Sequence, residues 1–135
     1  MADITVTAAN VAATSNTVTS LVQVGESVTQ AQPLYLYTTD NKYYKADADV
    51  LATSKAAGIA LTPASTDGYV LMATDGLVNL GATLTVGQVY VASTTAGGIA
   101  PYSDLATGDY VTLLGVATTA ALLDLQLHVS QTAKP

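Results

Sequence analysis

The sequence predicts an all-β fold, a compact antiparallel β-barrel or sandwich with an internal pseudo-duplication and an extended N-terminal arm. Three observations lead there. The first is a repeat. Gly25-Glu26-Ser27-Val28-Thr29-Gln30-Ala31-Gln32 runs into Leu34-Tyr35-Leu36, and Gly81-Ala82-Thr83-Leu84-Thr85-Val86-Gly87-Gln88 runs into Val89-Tyr90-Val91. Gly58-Ile59-Ala60 is echoed by Gly115-Val116-Ala117, at an offset of about 55 to 57 residues (81 against 25, 90 against 35, 115 against 58). The second is an abundance of Val and Thr, which suit a pleated surface better than a helix. The third is a period of two along most of the chain, with no long stretch of period 3.6. Residues 1–24 read as the arm and first strand, and residues 25–135 as one β domain of two similar halves, about 25–80 and 81–135.

Taken in order, Ile4-Thr5-Val6-Thr7 alternates and is followed by a small, featureless run. Residues 18–24 make a good strand, and Gly25-Glu26 turns the chain. Pro33 has no amide proton to give a ladder, so it belongs at the start or edge of the strand over 34–38. Asp40-Asn41 then turns the chain into the short return Lys42–Lys45. Residues 47–55 are the one candidate for a helical turn, with Asp47 or Asp49 as cap and Gly58 as stop. Asp75-Gly76 between two apolar runs predicts a tight hairpin, because both residue types tolerate positive φ. Strands near 89–92, 110–117 and 122–129 complete about ten short strands, the spacing of a sandwich or barrel.

Composition narrows the function. The chain has 135 residues, enough for one cored domain without staples, and half of them are apolar. There is no Trp, Phe or Cys, so thiol chemistry and cysteine-based metal sites are excluded and eight tyrosines supply all the aromatic surface. Four lysines, no arginine and a net charge of −6 argue against direct nucleic-acid binding, which needs clustered cations to displace phosphate counterions. No apolar run approaches the roughly 20 residues of a spanning helix, so no membrane partner is expected. Met1-Ala2-Asp3 opens no secretory signal pattern, and a soluble cytoplasmic origin is the expectation.

No constellation points to catalysis. The only histidine, His128, alternates with Asp124 and Gln126 on one face of a strand whose other face is Leu123, Leu125, Leu127 and Val129, the pattern of a solvated edge. Asp47-Ala48-Asp49 lacks the glycine and later glutamate of a calcium loop. Gly97-Gly98 lacks the spacing and following helix of a phosphate cradle. The single glutamate, Glu26, sits on a turn, so a glycosidase pair of carboxylates is not in view. No cofactor and no metal are expected, and the chain reads as a non-enzyme.

The segments 24–36, 43–49 (with Tyr44-Lys45-Ala46-Asp47-Ala48-Asp49), 58–61 (Gly58-Ile59-Ala60-Leu61), 76–78, 84–91 and 97–116 (with Gly98-Ile99-Ala100-Pro101) resemble the tailed-phage capsid cement, or head decoration, protein family. The likeness covers nearly the whole chain and is tighter in the second half. Gln30, where the family has Ala, and Pro33 depart from it at a strand edge. The resemblance implies a β-rich virion protein on the outer capsid surface that locks neighbouring major capsid proteins together. It also implies a homotrimer over local three-fold axes and no catalytic residues. The uncharged leader is expected to pair with a neighbour's sheet, with Ile4, Val6, Val11 and Val18 as candidate partner-binding residues. A phage fibre or adhesin module that binds a host-surface glycan or protein is the alternative.

Overall fold

Runs of Val, Leu, Ile, Thr and Tyr with period two form ten strands in the computed structural model, which describes residues 3–135. Met1 and Ala2, the tip of the expected arm, lie outside the described residues. The strands are β1 (Val11–Ala13), β2 (Val18–Gln23), β3 (Pro33–Tyr37), β4 (Lys42–Lys45), β5 (Ala56–Ala60), β6 (Tyr69–Leu80), β7 (Val89–Ala92), β8 (Ile99–Pro101), β9 (Tyr110–Ala117) and β10 (Leu122–Ala133). The ladders are antiparallel, in the order β4-β3-β5-β6-β10-β9-β7-β8, with β1 and β2 also paired to β6. The all-β prediction holds.

The long strand β6 is the spine. Met72 and Ala73 pair with β2 on one side and β5 on the other, and Val78 and Asn79 pair with β1 and β10. The sheet curls until β4 meets the end of β2 through a bridge between Val24 and Tyr43.

The repeat is present in the backbone. Ala31 N–H donates to the Ala60 carbonyl (2.8 Å) and Ala60 N–H to that of Gln32 (2.9 Å). In the second unit Gly87 N–H donates to Ala117 (2.8 Å) and Ala117 N–H to Gln88 (3.1 Å), at offsets of 56 and 57 residues (87 against 31, 117 against 60). The pairs Leu34–Gly58 and Tyr90–Gly115 occupy equivalent places, each followed by a bulge. At both glycines a Cβ would press into a carbonyl of the next strand, Ala73 or Asp124, so the neighbouring backbone can come this close only past glycine. The buried side chains repeat too: Val24, Val28, Leu34, Ala60 and Met72 in one unit, Leu80, Leu84, Tyr90, Ala117 and Leu123 in the other.

These registers correct two expectations. Leu34, not Tyr35, is the counterpart of Tyr90, and both are buried while Tyr35 is half-exposed. Asp75-Gly76 is not a hairpin turn, because β6 runs straight through it. Gly76 has φ +89° and lies so close to the Asn16 carbonyl that no Cβ fits, and two residues before it Thr74 is the extra residue of a bulge that shifts the β2–β6 register between Val18 and Thr19. Beyond it β6 pairs with β10 as β2 pairs with its first half, so one strand ends the first unit and begins the second. Residues 47–55 hold the single helical turn expected there, with Ser54 N–H reaching the Val50 carbonyl (3.1 Å).

The leader folds back on its own chain. Ile4 N–H donates to the Ile99 carbonyl of β8 (2.8 Å), Thr7 N–H donates to Gly81 (2.7 Å), and β1 follows on β6. In the first unit β4 meets β2 directly. In the second unit the leader fills the corresponding gap between β8 and the end of β6. Ile4, Val6 and Val11 pack against the main core, whereas Val18 is 53% exposed. Ile4→Ala should therefore destabilise the isolated protein by about 1–3 kcal/mol and Val11→Thr by about 1–2. Val18→Thr should stay within about 0.5 kcal/mol in dilute solution. Urea unfolding checks this, and equal costs at Val18 and Ile4 would contradict the seating of the leader.

Candidate functional site

The titratable groups are spread out and mostly occupied with structural tasks. Among the described residues no three His, Asp or Glu side chains come together as a cation site. Asp47 Oδ1 accepts from Asp49 N–H (3.1 Å) and Thr53 Oγ1 (2.9 Å), which closes its loop. Glu26 Oε2 accepts the Lys45 amide proton (2.9 Å), and its other oxygen lies 3.8 Å from the Lys45 ammonium. Lys42 bridges to Asp67 at 2.6 Å. Lys134 donates to the Leu105 carbonyl (2.7 Å) over the Tyr102 ring. Three of the four lysines are thus held apart in separate local contacts, and no basic face forms. No described helix is long and apolar enough to cross a membrane.

His128 and Gln126 are exposed on β10 and share a hollow of about 250 Å³ with Asp124, above Val89, Leu113 and Val116. Gln126 Nε2 reaches Asp124 Oδ2 only at 3.5 Å, so the face is polar but loosely tied. No nucleophile is brought to it. A polar groove of about 510 Å³ runs beside the leader, lined by Thr5, Thr7, Asn10, Asn79 and Thr83.

The exposed apolar side chains are more organised. Of the ten large ones among the described residues, Val18, Leu21, Tyr69 and Leu71 lie on β2 and the facing half of β6, with Leu21 67% and Tyr69 60% exposed. Leu36 and Tyr37, on opposite faces at the end of β3, border a hollow of about 300 Å³ that Tyr35, Ala52 and Lys55 also line, and Val50 and Leu51 are exposed in the loop that supplies Ala52 and Lys55. Of the four partner-binding candidates, only Val18 is among these exposed side chains. Periodicity could not have found these surfaces: Leu21 and Val22 are both apolar, and only the register shows that Val22 packs inward while Leu21 is open.

The β3–β4 hairpin is stiffened by a tyrosine cluster. The Tyr44 ring lies over Gly25, where a Cβ would overlap it, and meets Tyr37 edge-on at 5.6 Å and Tyr35 at 6.2 Å. Tyr44 donates its hydroxyl proton to Asp40 Oδ2 (2.6 Å), tying the turn of the β3–β4 hairpin to β4. That bond holds the Tyr44 phenol up at about 12 and the Asp40 carboxyl below its ordinary value. Because the folded phenol lies above its ordinary 10.0, the stabilisation is complete below that pH and is lost as pH rises toward about 12. On the acid side it is lost as pH falls through the lowered Asp40 value.

An absorbance titration at constant far-UV circular dichroism should show one of the eight tyrosines ionising only near pH 12. Asp40→Asn should bring that step down toward about 10. Titration unchanged by Asp40→Asn would contradict the bond. Compared with known proteins, the chain matches no family model, no curated protein and no solved structure.

Proposed function

We propose that this chain is a structural protein of a phage head, which binds the outer capsid surface and fastens neighbouring major capsid proteins. The observation that carries the reading is the hollow where Leu36 and Tyr37, on the hairpin stiffened by the Tyr44–Asp40 bond, meet the 47–55 loop with its exposed Val50 and Leu51. Large apolar side chains grouped on a rigid support suit a protein–protein contact better than a solvated surface. The partner comes from the family resemblance of the sequence, and the hollow supplies the place where that partner would sit. The work is binding rather than catalysis: a small stiff block spans a boundary between shell subunits, and burial across that boundary stabilises the shell.

The sparse charge fits such a role. A net charge of −6 on 135 residues opposes unspecific clumping, while the exposed apolar residues themselves are neutral and lose no strong hydration on docking. Purified protein should add stoichiometrically to phage heads assembled without it. The double variant Leu36→Asp, Val50→Asp should lower apparent affinity by at least about tenfold, from apolar burial of about 1.5–3 kcal/mol per side chain. Unchanged occupancy of the variant, or absence of the protein from mature virions, would overturn the proposal. Binding on a glycan array would favour the fibre or adhesin alternative instead.

A further inference from the structure

We propose that the outer edge of β2 is a self-association site, where two copies pair β2 to β2, antiparallel, across a two-fold axis. The edge is open in the backbone. On β6, Leu71 spends both main-chain groups on its other neighbour: its N–H goes to Thr62 Oγ1 (3.0 Å) and its carbonyl accepts from Leu61 N–H (2.7 Å). Leu21, which faces Leu71, is therefore in a non-hydrogen-bonded pair, and its own N–H and C=O point away from β6. By the alternation of the ladder, those of Thr19 point the same way. β4 closes only the far end, where Gly25 N–H reaches the Tyr43 carbonyl (2.9 Å).

The edge also lacks the usual protection. Residues 4–25 contain no charged side chain and no proline, and four of the ten exposed large apolar side chains lie on β2 and its partner strand. Edge strands that stay solvated are normally blunted by charge, proline or a bulge in mid-strand. The repeat shows how such an edge is satisfied. In the second unit the strand equivalent to β2 is the latter half of β6, where β1 covers Val78–Leu80, the counterparts of Val22–Val24. Leu77, the counterpart of Leu21, has its N–H met by Asn16 Oδ1 (2.9 Å) and its carbonyl by Thr14 Oγ1 (2.8 Å). Leu21 has no such cover.

Charge selects the occupant and the symmetry. Asp75 stands beside the Val18 end of β2, and the Lys42–Asp67 pair beside the Gln23 end. A parallel pairing would set the two Asp75 carboxylates side by side. An antiparallel pairing puts them toward opposite ends, roughly 14 Å apart along the strand and beyond a Debye length of about 8 Å. Each Val18 end then lies by a neutralised Lys42–Asp67 end, so β2 is compatible in charge with its own inverted copy despite the net −6. The register follows from the outward groups: Thr19 bonds across to Leu21 of the other copy, with Ser20 on the axis. This two-fold contact departs from the three-fold association that the resemblance implies, and it does not depend on the head-surface function.

Two measurements test it. In sedimentation at up to about 100 µM the full chain should reach twice the 13.7 kDa monomer mass, and Leu21→Lys should weaken association at least about tenfold with unchanged circular dichroism. Because the chain has no cysteine, Ser20→Cys should form a disulfide-linked dimer on mild oxidation, since non-hydrogen-bonded pairs bring Cα atoms to about 4.5 Å. The exposed control Ser103→Cys should not. A chain that stays monomeric or sediments as a trimer, a Leu21→Lys dimer as tight as the parent, or a Ser20→Cys variant that crosslinks no faster than the control would each overturn the proposal.

Discussion

The rest of the fold depends on a single strand serving two sheets. β6 closes the first unit with its N-terminal half and opens the second with its C-terminal half. Its inward side chains must therefore change address along its length. Val70 and Met72 fill the first core, and Val78 and Leu80 fill the second. A bulge at Thr74 lies where the strand passes from one core to the other, and Gly76 just beyond it must be glycine because the Asn16 carbonyl occupies the space a Cβ would need. Backbone bonds that cross between the units reinforce the arrangement: Ala48 exchanges them with Ser93 and Tyr110, and Gly97 reaches the Ala46 carbonyl. The two units thus share a strand, a core and a seam.

That sharing makes the termini of the pattern unequal. The second unit is sealed by a leader that the first unit has no counterpart for, so an apolar, uncharged segment that looks free in the sequence is spent on the chain's own core. What is left exposed is the edge of β2 and the hairpin end around Leu36 and Val50. Both sit on a stiff frame, so ordering them on contact costs little conformational entropy. The functional reading follows from this economy of surface more than from any polar site, since the acids and lysines mostly close loops or pair locally.

Much of the fold was legible in the sequence, because strand periodicity and the duplicated Gly, Leu and Tyr positions are local signals. The misreadings all needed a partner far along the chain. Asp-Gly at 75–76 has hairpin chemistry, and only the pairing of β6 with β2 and β10 shows that the strand runs on through it. The Tyr35–Tyr90 match was one residue out because aromatic identity outweighed burial, and the structure equates Tyr90 with Leu34. Ile4, Val6 and Val11 have the composition of a binding arm and of a sealing strand alike. The candidate surfaces were the least legible part: alternation distinguishes two faces of a strand without saying which one is buried, and in β2 neither neighbour of the open edge is close in sequence.

Native-state hydrogen exchange tests most directly whether β6 joins the two units into one cooperative body. The account predicts that amides of β5, β6 and β9 share one opening free energy, equal to that of global unfolding. Exchange of β5 in the first unit at a markedly lower opening free energy than β9 in the second, with β6 splitting between the two, would contradict it.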